Sequence, residues 1–273
     1  MAGRNVLVTG GSNGIGRAVV RRFSQFGDHV WFTYYTGRDR AEALLEELRQ
    51  AGSTPALSFR LSQGDWHSHQ ELLGQLPGPA DVLVNNSAVG SKTVEKYVDG
   101  PRHERDAAFF QINSVGPLWL YRALLPGMIE RGYGKVVHVS SVNGGVAQFP
   151  GFDVADGMSK AALAYMTRHT AAELAHSPVD VFAVCPGAVD TTMFHASTLD
   201  GLTQQRRAEV EAGLPKGRLI RPEEIADLIL WLCGEEGRVL HGAVIDASMG
   251  LGVRPGLLVD GGRAVGELPV VAG

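Results

Sequence analysis

The feature that most constrains this chain lies in its first 26 residues. An apolar run, Val6-Leu7-Val8, leads at once into Thr9-Gly10-Gly11-Ser12-Asn13-Gly14-Ile15-Gly16. A stretch with helical spacing follows, to Phe26. The apolar run reads as a buried strand. Gly10 permits a tight turn, Gly14 lets the backbone approach a ligand, and Gly16 lets the helix pack close to the sheet. A strand that turns directly into a helix leaves free N–H groups and the positive end of the helix dipole at the turn. Both suit an anion such as a pyrophosphate. The glycine pattern alone is weak evidence, and the strand before it and helix after it make it specific. The alternative is a glycine-rich turn without a ligand.

The alternation continues along the chain. His29–Tyr34, Ala56–Phe59, Asp81–Val84, Lys135–Ser140, Val179–Val184 and Gly242–Ile245 read as further strands. Arg38–Ala51, Arg102–Ile112, Val115–Arg131, Gly157–His176 and Pro222–Cys233 read as helices, and Thr191–Ala212 as helix and loop. Strands alternating with helices indicate crossover units and a parallel sheet. The strands are continuous apolar runs, as expected when helices cover both faces. The expected fold class is therefore α/β, a Rossmann-type doubly wound parallel sheet of about seven strands. It forms a single domain over residues 1–252. The Gly-, Val- and Pro-rich stretch 253–273 is expected to be an irregular extension packed on a neighbouring subunit.

Composition narrows the function classes. At 44% hydrophobic and 20% charged, the 273-residue chain is that of a globular domain. A net charge of −4 supplies no dominant basic surface, which argues against a nucleic-acid partner. No apolar run approaches the roughly 18 residues of a membrane span. Met1 to Gly11 runs straight into the first strand and leaves no room for a signal peptide. Cys185 and Cys233 form no C-x-x-C pair, and no His spacing suits a metal. No metal and a reducing, cytoplasmic setting are expected.

The end of the second strand discriminates between nucleotides. An acidic residue there would bond the ribose hydroxyls of NAD. The sequence is Phe32-Thr33-Tyr34-Tyr35-Thr36-Gly37-Arg38, with no carboxylate before Asp39. Thr36 and Arg38, beside Tyr35, are donors suited to a 2′-phosphate, so NADP(H) is favoured over NAD(H). The alternative for Arg38 is a solvated residue at a helix start.

Several motifs in order resemble the short-chain dehydrogenase/reductase family, from Asn5 to about Gly250. Thr9–Gly16 is similar to its T-G-x-x-x-G-x-G turn. Asn85-Asn86-Ser87-Ala88 resembles its N-N-A-G, with alanine at the final glycine. Asn113 resembles the helix asparagine that completes a proton relay. Ser140-Ser141 resembles the serine pair whose second member touches the substrate carbonyl. Ser159-Lys160-Ala161-Ala162 resembles the end of Y-x-x-S-K-A-A. Pro186-Gly187-Ala188-Val189-Asp190-Thr191 resembles the P-G-x-x-x-T loop near the nicotinamide, and Arg221–Ala226 a further family helix. The resemblance implies that Lys160 holds the nicotinamide ribose and that Asn86, Ala88, Pro186, Gly187, Val189 and Thr191 surround the cofactor. It implies a homo-oligomer, a tetramer or dimer, packed through the helices that begin at Val115 and Gly157.

Four departures stand out. The position four before Lys160, where the family carries its catalytic tyrosine, is Asp156. A carboxyl's reference pKa is about 3.9 against about 10 for tyrosine, and a cation at i+4 depresses it further. An Asp156–Lys160 ion pair is expected, the alternative being that burial pushes the carboxyl's pKa up; the proton then comes from water, from a perturbed Asp156 or from an acidic hydroxyl on the substrate. The stretch from Ser141 to Asp156 is longer than the family's, so a strict count puts Asn143 where the serine belongs. Ser141 remains the expected contact because it directly follows its strand and a loop absorbs the insertion. Arg60 takes the place of the family's adenine-binding acid and has no acceptor. Phe182 stands where an asparagine is usual. Phe149, Pro150 and Phe152 either present an apolar face to a substrate or only pack their loop. Met193 and Phe194 either line the pocket or anchor a helix. His138 alternates onto the strand face of Ser140, away from Ser141, and reads as structural. Glu223-Glu224 and Glu235-Glu236 read as solvated charges.

The expected function is an NADPH-dependent ketone or quinone reductase of a specialised small molecule. Ser141, Asn143, Asp156, Lys160 and Asn113 form its catalytic set. The alternatives are a non-redox cyclase, isomerase or dehydratase that uses Asp156 as base, or a catalytically inactive nucleotide-binding protein.

Overall fold

The computed structural model describes residues 3–149 and 152–254. Seven parallel strands form one sheet in the order β3-β2-β1-β4-β5-β6-β7. They are β1 (Asn5–Val8), β2 (His29–Tyr34), β3 (Leu57–Arg60), β4 (Val82–Asn85), β5 (Gly134–Val139), β6 (Val179–Pro186) and β7 (Val244–Ala247). The main helices are α1 (Gly14–Phe26), α2 (Arg38–Gln50), α3 (Trp66–Gln75), α4 (Arg102–Phe110), α5 (Gly116–Glu130), α6 (Val154–Glu173), α7 (Gln204–Gly213) and α8 (Pro222–Leu232). The chain order reverses between β1 and β4, where a doubly wound sheet opens a crevice at its carboxyl edge.

The strands are buried on both faces, as the unbroken apolar runs imply. One core joins Val6, Val8, Val84 and Val184 to Val20 and Phe23 of α1 and Ile229 of α8. On the other face Leu7, Leu83 and Val136 meet Leu72 of α3 with Leu120 and Met128 of α5.

Three elements differ from expectation. Helix α3 was not foreseen, because its buried positions are His69 and Leu72, and a buried histidine breaks the apolar period. Trp119 explains that burial: it packs edge-on to both Trp66 and His69, at 5.3 and 5.2 Å between ring centroids. The two helices expected around residue 113 form one path, α4 and α5 joined through a π-helical turn at Gln111–Val115. Pro117 has no N–H and its ring crowds the carbonyl four residues back, so the wider turn falls at Asn113. Helix α6 starts at Val154 rather than Gly157, because the Asp153 carboxylate caps it, accepting from the N–H of Ala155 at 2.9 Å and of Asp156 at 3.4 Å.

Glu224 is also more than a solvated charge. It accepts from the Arg221 N–H at 2.9 Å at the start of α8 and pairs with Arg218. These bonds hold its carboxyl down at about 2. Of the expected extension, Val253 and Arg254 are described and the remainder lies outside the described residues, as does Pro150.

Close packing under the first turn leaves no room for a side chain at Gly16. A Cβ there would stand 2.2 Å from the Gly10 carbonyl oxygen. Gly74, inside α3, has nothing within 4 Å of that point. Gly16→Ala is expected to destabilise the fold by about 1–3 kcal/mol through overpacking. Gly74→Ala is expected to leave stability unchanged or raise it by up to about 1 kcal/mol. Urea unfolding of the two variants checks the contrast.

Candidate active site

The carboxyl ends of the strands around the reversal open into a cleft of about 630 Å³. That volume suits a small-molecule or cofactor site. Gly10, Ser12, Asn13, Gly14 and Ile15 of the first turn line it. Gly10 and Gly14 have φ of +68° and +50°, which glycine adopts without strain. The Asn13 carboxamide caps α1, accepting from the Gly14 N–H at 2.8 Å, and donates to Thr192 Oγ at 2.6 Å across the cleft. Gly16 lies beneath the turn, off the cleft wall.

Thr9 was not singled out from the sequence, yet it organises this corner. It is fully buried, and its hydroxyl oxygen accepts from the N–H of Asn86 at 3.0 Å and of Ser87 at 2.9 Å. Asn86 Nδ2 donates back to the carbonyls of Thr9 and Gly10. Asn86 and Ala88 also line the cleft.

At the far end Tyr35, Thr36, Gly37 and Arg40 form the wall. Arg38 does not reach it. Its guanidinium is exposed and pairs with Glu42 one turn along α2, at 3.2 Å, so the solvated alternative holds. Arg40 takes the expected place, and Gly37 makes that possible, because a Cβ there would meet the Arg40 guanidinium at 2.6 Å. Arg60 is exposed, off the cleft wall, with its guanidinium carbon 5.5 Å from the Tyr35 ring.

The chemical end gathers Ser141, Asn143, Asp156 and Lys160 on the wall. The Ser141 hydroxyl oxygen accepts from the Asn143 N–H at 3.1 Å. Asn143 Oδ1 accepts from the Phe149 N–H at 3.3 Å and thereby braces the loop. Ser140 donates to the Lys160 carbonyl at 2.9 Å, tying β5 to α6. Asn113 is buried away from the cleft. Its Oδ1 accepts from the Val89 N–H at 2.8 Å, and its Nδ2 donates to the Val89 carbonyl and to Ser159 Oγ, both at 3.0 Å. Its side chain holds the β4 loop against α6 next to Lys160.

The expected Asp156–Lys160 ion pair is not formed. The two groups attract one another without a salt bridge. Burial raises the Asp156 pKa above the ordinary carboxylate range, outweighing the pull of Lys160 and hydrogen bonding from Ser91. Burial likewise lowers the Lys160 pKa. Ser91 carries no motif and was not foreseen.

The apolar candidates lie at the other wall. Phe149 does both things considered for it. It lines the cleft, and it is buried with Val142, Ala147 and Leu251. Phe152 packs edge-on against it at 5.9 Å and is partly exposed on the same wall. Met193 and Phe194 line the cleft, as do Pro186, Gly187, Val189 and Thr191. Thr191 Oγ accepts from the Phe194 N–H at 3.3 Å. Lys92 and Lys96 add positive charge to the wall, and Asp156 is its sole carboxylate among the described residues.

The cleft fits a dinucleotide on its own geometry. The turn's underside is packed tight and its glycine backbone faces the opening with the start of α1. The cations Arg40, Lys92 and Lys96 suit a ligand with several phosphates. Among the described residues no cluster of three or more His, Cys, Asp or Glu could hold a metal ion. No described helix is long and apolar enough to cross a membrane.

Comparison with known proteins agrees with this architecture. Residues 10–252 match the family model described as enoyl-(acyl carrier protein) reductase. The chain is 32% identical over 257 residues to acetoacetyl-CoA reductase of Cupriavidus necator, spanning 92% of this chain and 99% of that one. An actinorhodin polyketide ketoreductase variant with NADPH superposes with a TM-score of 0.81 at 28% identity, over 92% of this chain and 99% of the other. A 3-oxoacyl-[acyl-carrier protein] reductase from Brucella melitensis with bound NAD gives 0.79 at 27% identity, over 91% of each chain. The chain belongs to the short-chain dehydrogenase/reductase family of oxidoreductases.

His138 is structural, as its strand face implied. It is fully buried, its Nδ1 lies 3.1 Å from Asn85 Nδ2, and burial pushes its pKa down to about 3. The unfolded chain binds a proton here below about pH 6.5 and the folded chain only near pH 3, so acid favours unfolding across that window. Above it the contribution to stability is complete. His138→Gln is expected to lose less stability than the parent as pH falls through that window, as read by urea titration at each pH.

Proposed function

We propose that the chain is an NADP(H)-dependent reductase of ketone- or quinone-type carbonyls, with Asp156 as its proton donor. The observation that carries this reading is the environment of Asp156. It lies on the cleft wall one helical turn before Lys160, where burial favours the protonated carboxyl. By resemblance this is the position of the family's tyrosine.

A bound nicotinamide nucleotide supplies hydride chemistry at this site. The chain's residues supply the rest. The first turn and the α1 N-terminus receive the pyrophosphate. Thr36 and Arg40 receive a 2′-phosphate, which favours NADP(H). Lys160 holds the ribose nearest the reacting carbon. Ser141 Oγ already accepts from the Asn143 N–H, which leaves its own hydrogen free to donate to the substrate carbonyl oxygen. The Asp156 carboxyl passes its proton to that oxygen as negative charge develops there. Phe149, Phe152 and Met193 exclude water and select an apolar substrate. Asn113 acts through Ser159, as a positioning residue.

The names of the relatives, an acetoacetyl-CoA reductase and a polyketide ketoreductase with NADPH, support a carbonyl substrate and this cofactor. Exposed Val154, Met158 and Tyr165 along α6 support a homo-oligomer packed through that helix.

Asp156→Asn is expected to lower kcat by about 10²- to 10⁴-fold, the range of a lost general acid, with NADPH affinity unchanged. In the parent, kcat is expected to fall as pH rises through the raised Asp156 pKa, because the donor must be protonated. A kcat that rises over the same step, without deuterium transfer from labelled NADPH to quinones or cyclic ketones, would mean that Asp156 acts as a base in a non-redox reaction. Tight NADPH binding with no turnover of any kind would mean an inactive nucleotide-binding protein.

Cofactor choice gives a separate check. Arg40→Ala is expected to weaken NADPH by about tenfold or more and leave NADH almost unchanged. Arg38→Ala is expected to alter neither. Calorimetric titration of both nucleotides distinguishes these outcomes.

A further inference from the structure

The far end of the cleft contains an arrangement that the reaction above does not use. Tyr35 follows β2 on one wall, and Tyr97 follows the short turn Val94–Lys96 on the other. Their rings stack with centroids 5.1 Å apart and planes 22° from parallel. Both tyrosines line the cleft, and Tyr97 is partly exposed there. Thr36 and Arg40 stand beside the pair on one side and Lys96 on the other.

The nearby end of β3 carries no acceptor. Arg60 lies directly beside Tyr34 in the sheet register and extends over the Tyr35 ring. A guanidinium has donors only. A base with an exocyclic amine therefore meets no carboxylate there. On the cleft wall it meets the stacked tyrosine pair instead, with Arg40 and Lys96 as the nearby cations. Burial raises the Tyr97 pKa, so its phenol stays neutral and brings no negative charge toward a phosphate.

We infer that the Tyr35–Tyr97 pair is the seat of the adenine ring, and that the base is held by stacking rather than through its amine. This rests on the nucleotide-binding reading given above. Near-parallel rings are placed for a third ring to add by its face. Stacking reads the presence of a base and tolerates its identity, because every base has a π-face. Arg40 and Lys96 then flank the phosphate of the same adenosine, which makes the site selective for an adenosine 2′-phosphate over a free base.

Calorimetry on the full chain tests the assignment with four probes: NADPH, adenosine 2′,5′-bisphosphate, reduced nicotinamide mononucleotide, and nicotinamide hypoxanthine dinucleotide phosphate in reduced form. Tyr97→Ala is expected to weaken NADPH and adenosine 2′,5′-bisphosphate by about tenfold each. Tyr97→Phe is expected to bind both as the parent does. Reduced nicotinamide mononucleotide is expected to bind the parent and both variants equally. The hypoxanthine analogue, with oxygen in place of the amine, is expected to bind the parent as tightly as NADPH. Unchanged adenosine bisphosphate affinity in Tyr97→Ala overturns the inference, as does strong discrimination against the hypoxanthine analogue. A loss that extends equally to the mononucleotide also overturns it. If the parent binds none of the four probes, the nucleotide-binding reading itself fails and this inference falls with it.

Discussion

The clasp between Thr9 and Asn86 is the interaction on which the cleft depends. Two strands that neighbour each other across the chain reversal, β1 and β4, end side by side there. Each leaves backbone groups that the sheet no longer pairs. The Thr9 hydroxyl accepts two N–H groups from the β4 side, and the Asn86 carboxamide donates to two carbonyls on the β1 side. Each bond adds about 0.5–1.5 kcal/mol net, while an unsatisfied buried partner costs about 1–3 kcal/mol. The clasp therefore fixes the spacing of the two strand ends more than it stabilises the whole. With that spacing set, the Gly10 turn stays open above and closed below.

The chemical end is built in the same way, from polar groups that hold elements rather than touch ligands. Asn113 is presented by a π-helical turn and reaches both Val89 and Ser159. Ser114 donates to the Ser159 carbonyl at 2.8 Å, and Ser140 donates to that of Lys160. Three side chains from two elements, the π-helical turn and the end of β5, thus grip α6 at adjacent residues. The loop that carries Asn143 closes on the same helix, where Gly144 approaches so near that a Cβ would meet the Gly157 carbonyl oxygen at 2.1 Å. Asp156 and Lys160 consequently face the cleft from a helix with little freedom to shift.

Most of the scaffold was legible in the sequence, because it depends on local rules. Strand, turn and helix from Asn5 to Phe26 follow from apolar runs and glycine placement. What was not legible depends on which residues meet across the fold. His69 is buried in α3 only because Trp119 covers it. Arg40 rather than Arg38 reaches the cleft, because the opening of α2 turns one to solvent and the other over Gly37. Tyr97 and Ser91 sit in a loop with no motif, and only the folded chain brings them to Tyr35 and Asp156.

Asp156 shows why the site's chemistry is harder to read than its shape. On an isolated helix, a carboxylate in the first turn with a lysine at i+4 is stabilised twice, by the helix dipole and by the cation. Both effects lower its pKa. In the folded chain the same side chain stands against Gly90 and Met193, with a Gly90 Cβ position 3.7 Å from its oxygen and 3.5 Å from the methionine sulfur. Removal of water penalises the charged form of Asp156 and of Lys160 alike. Attraction between the two does not recover that cost without a direct contact, and none is made. Desolvation therefore decides the sign, and the carboxyl that sequence rules assign to an ion pair has its pKa raised rather than lowered.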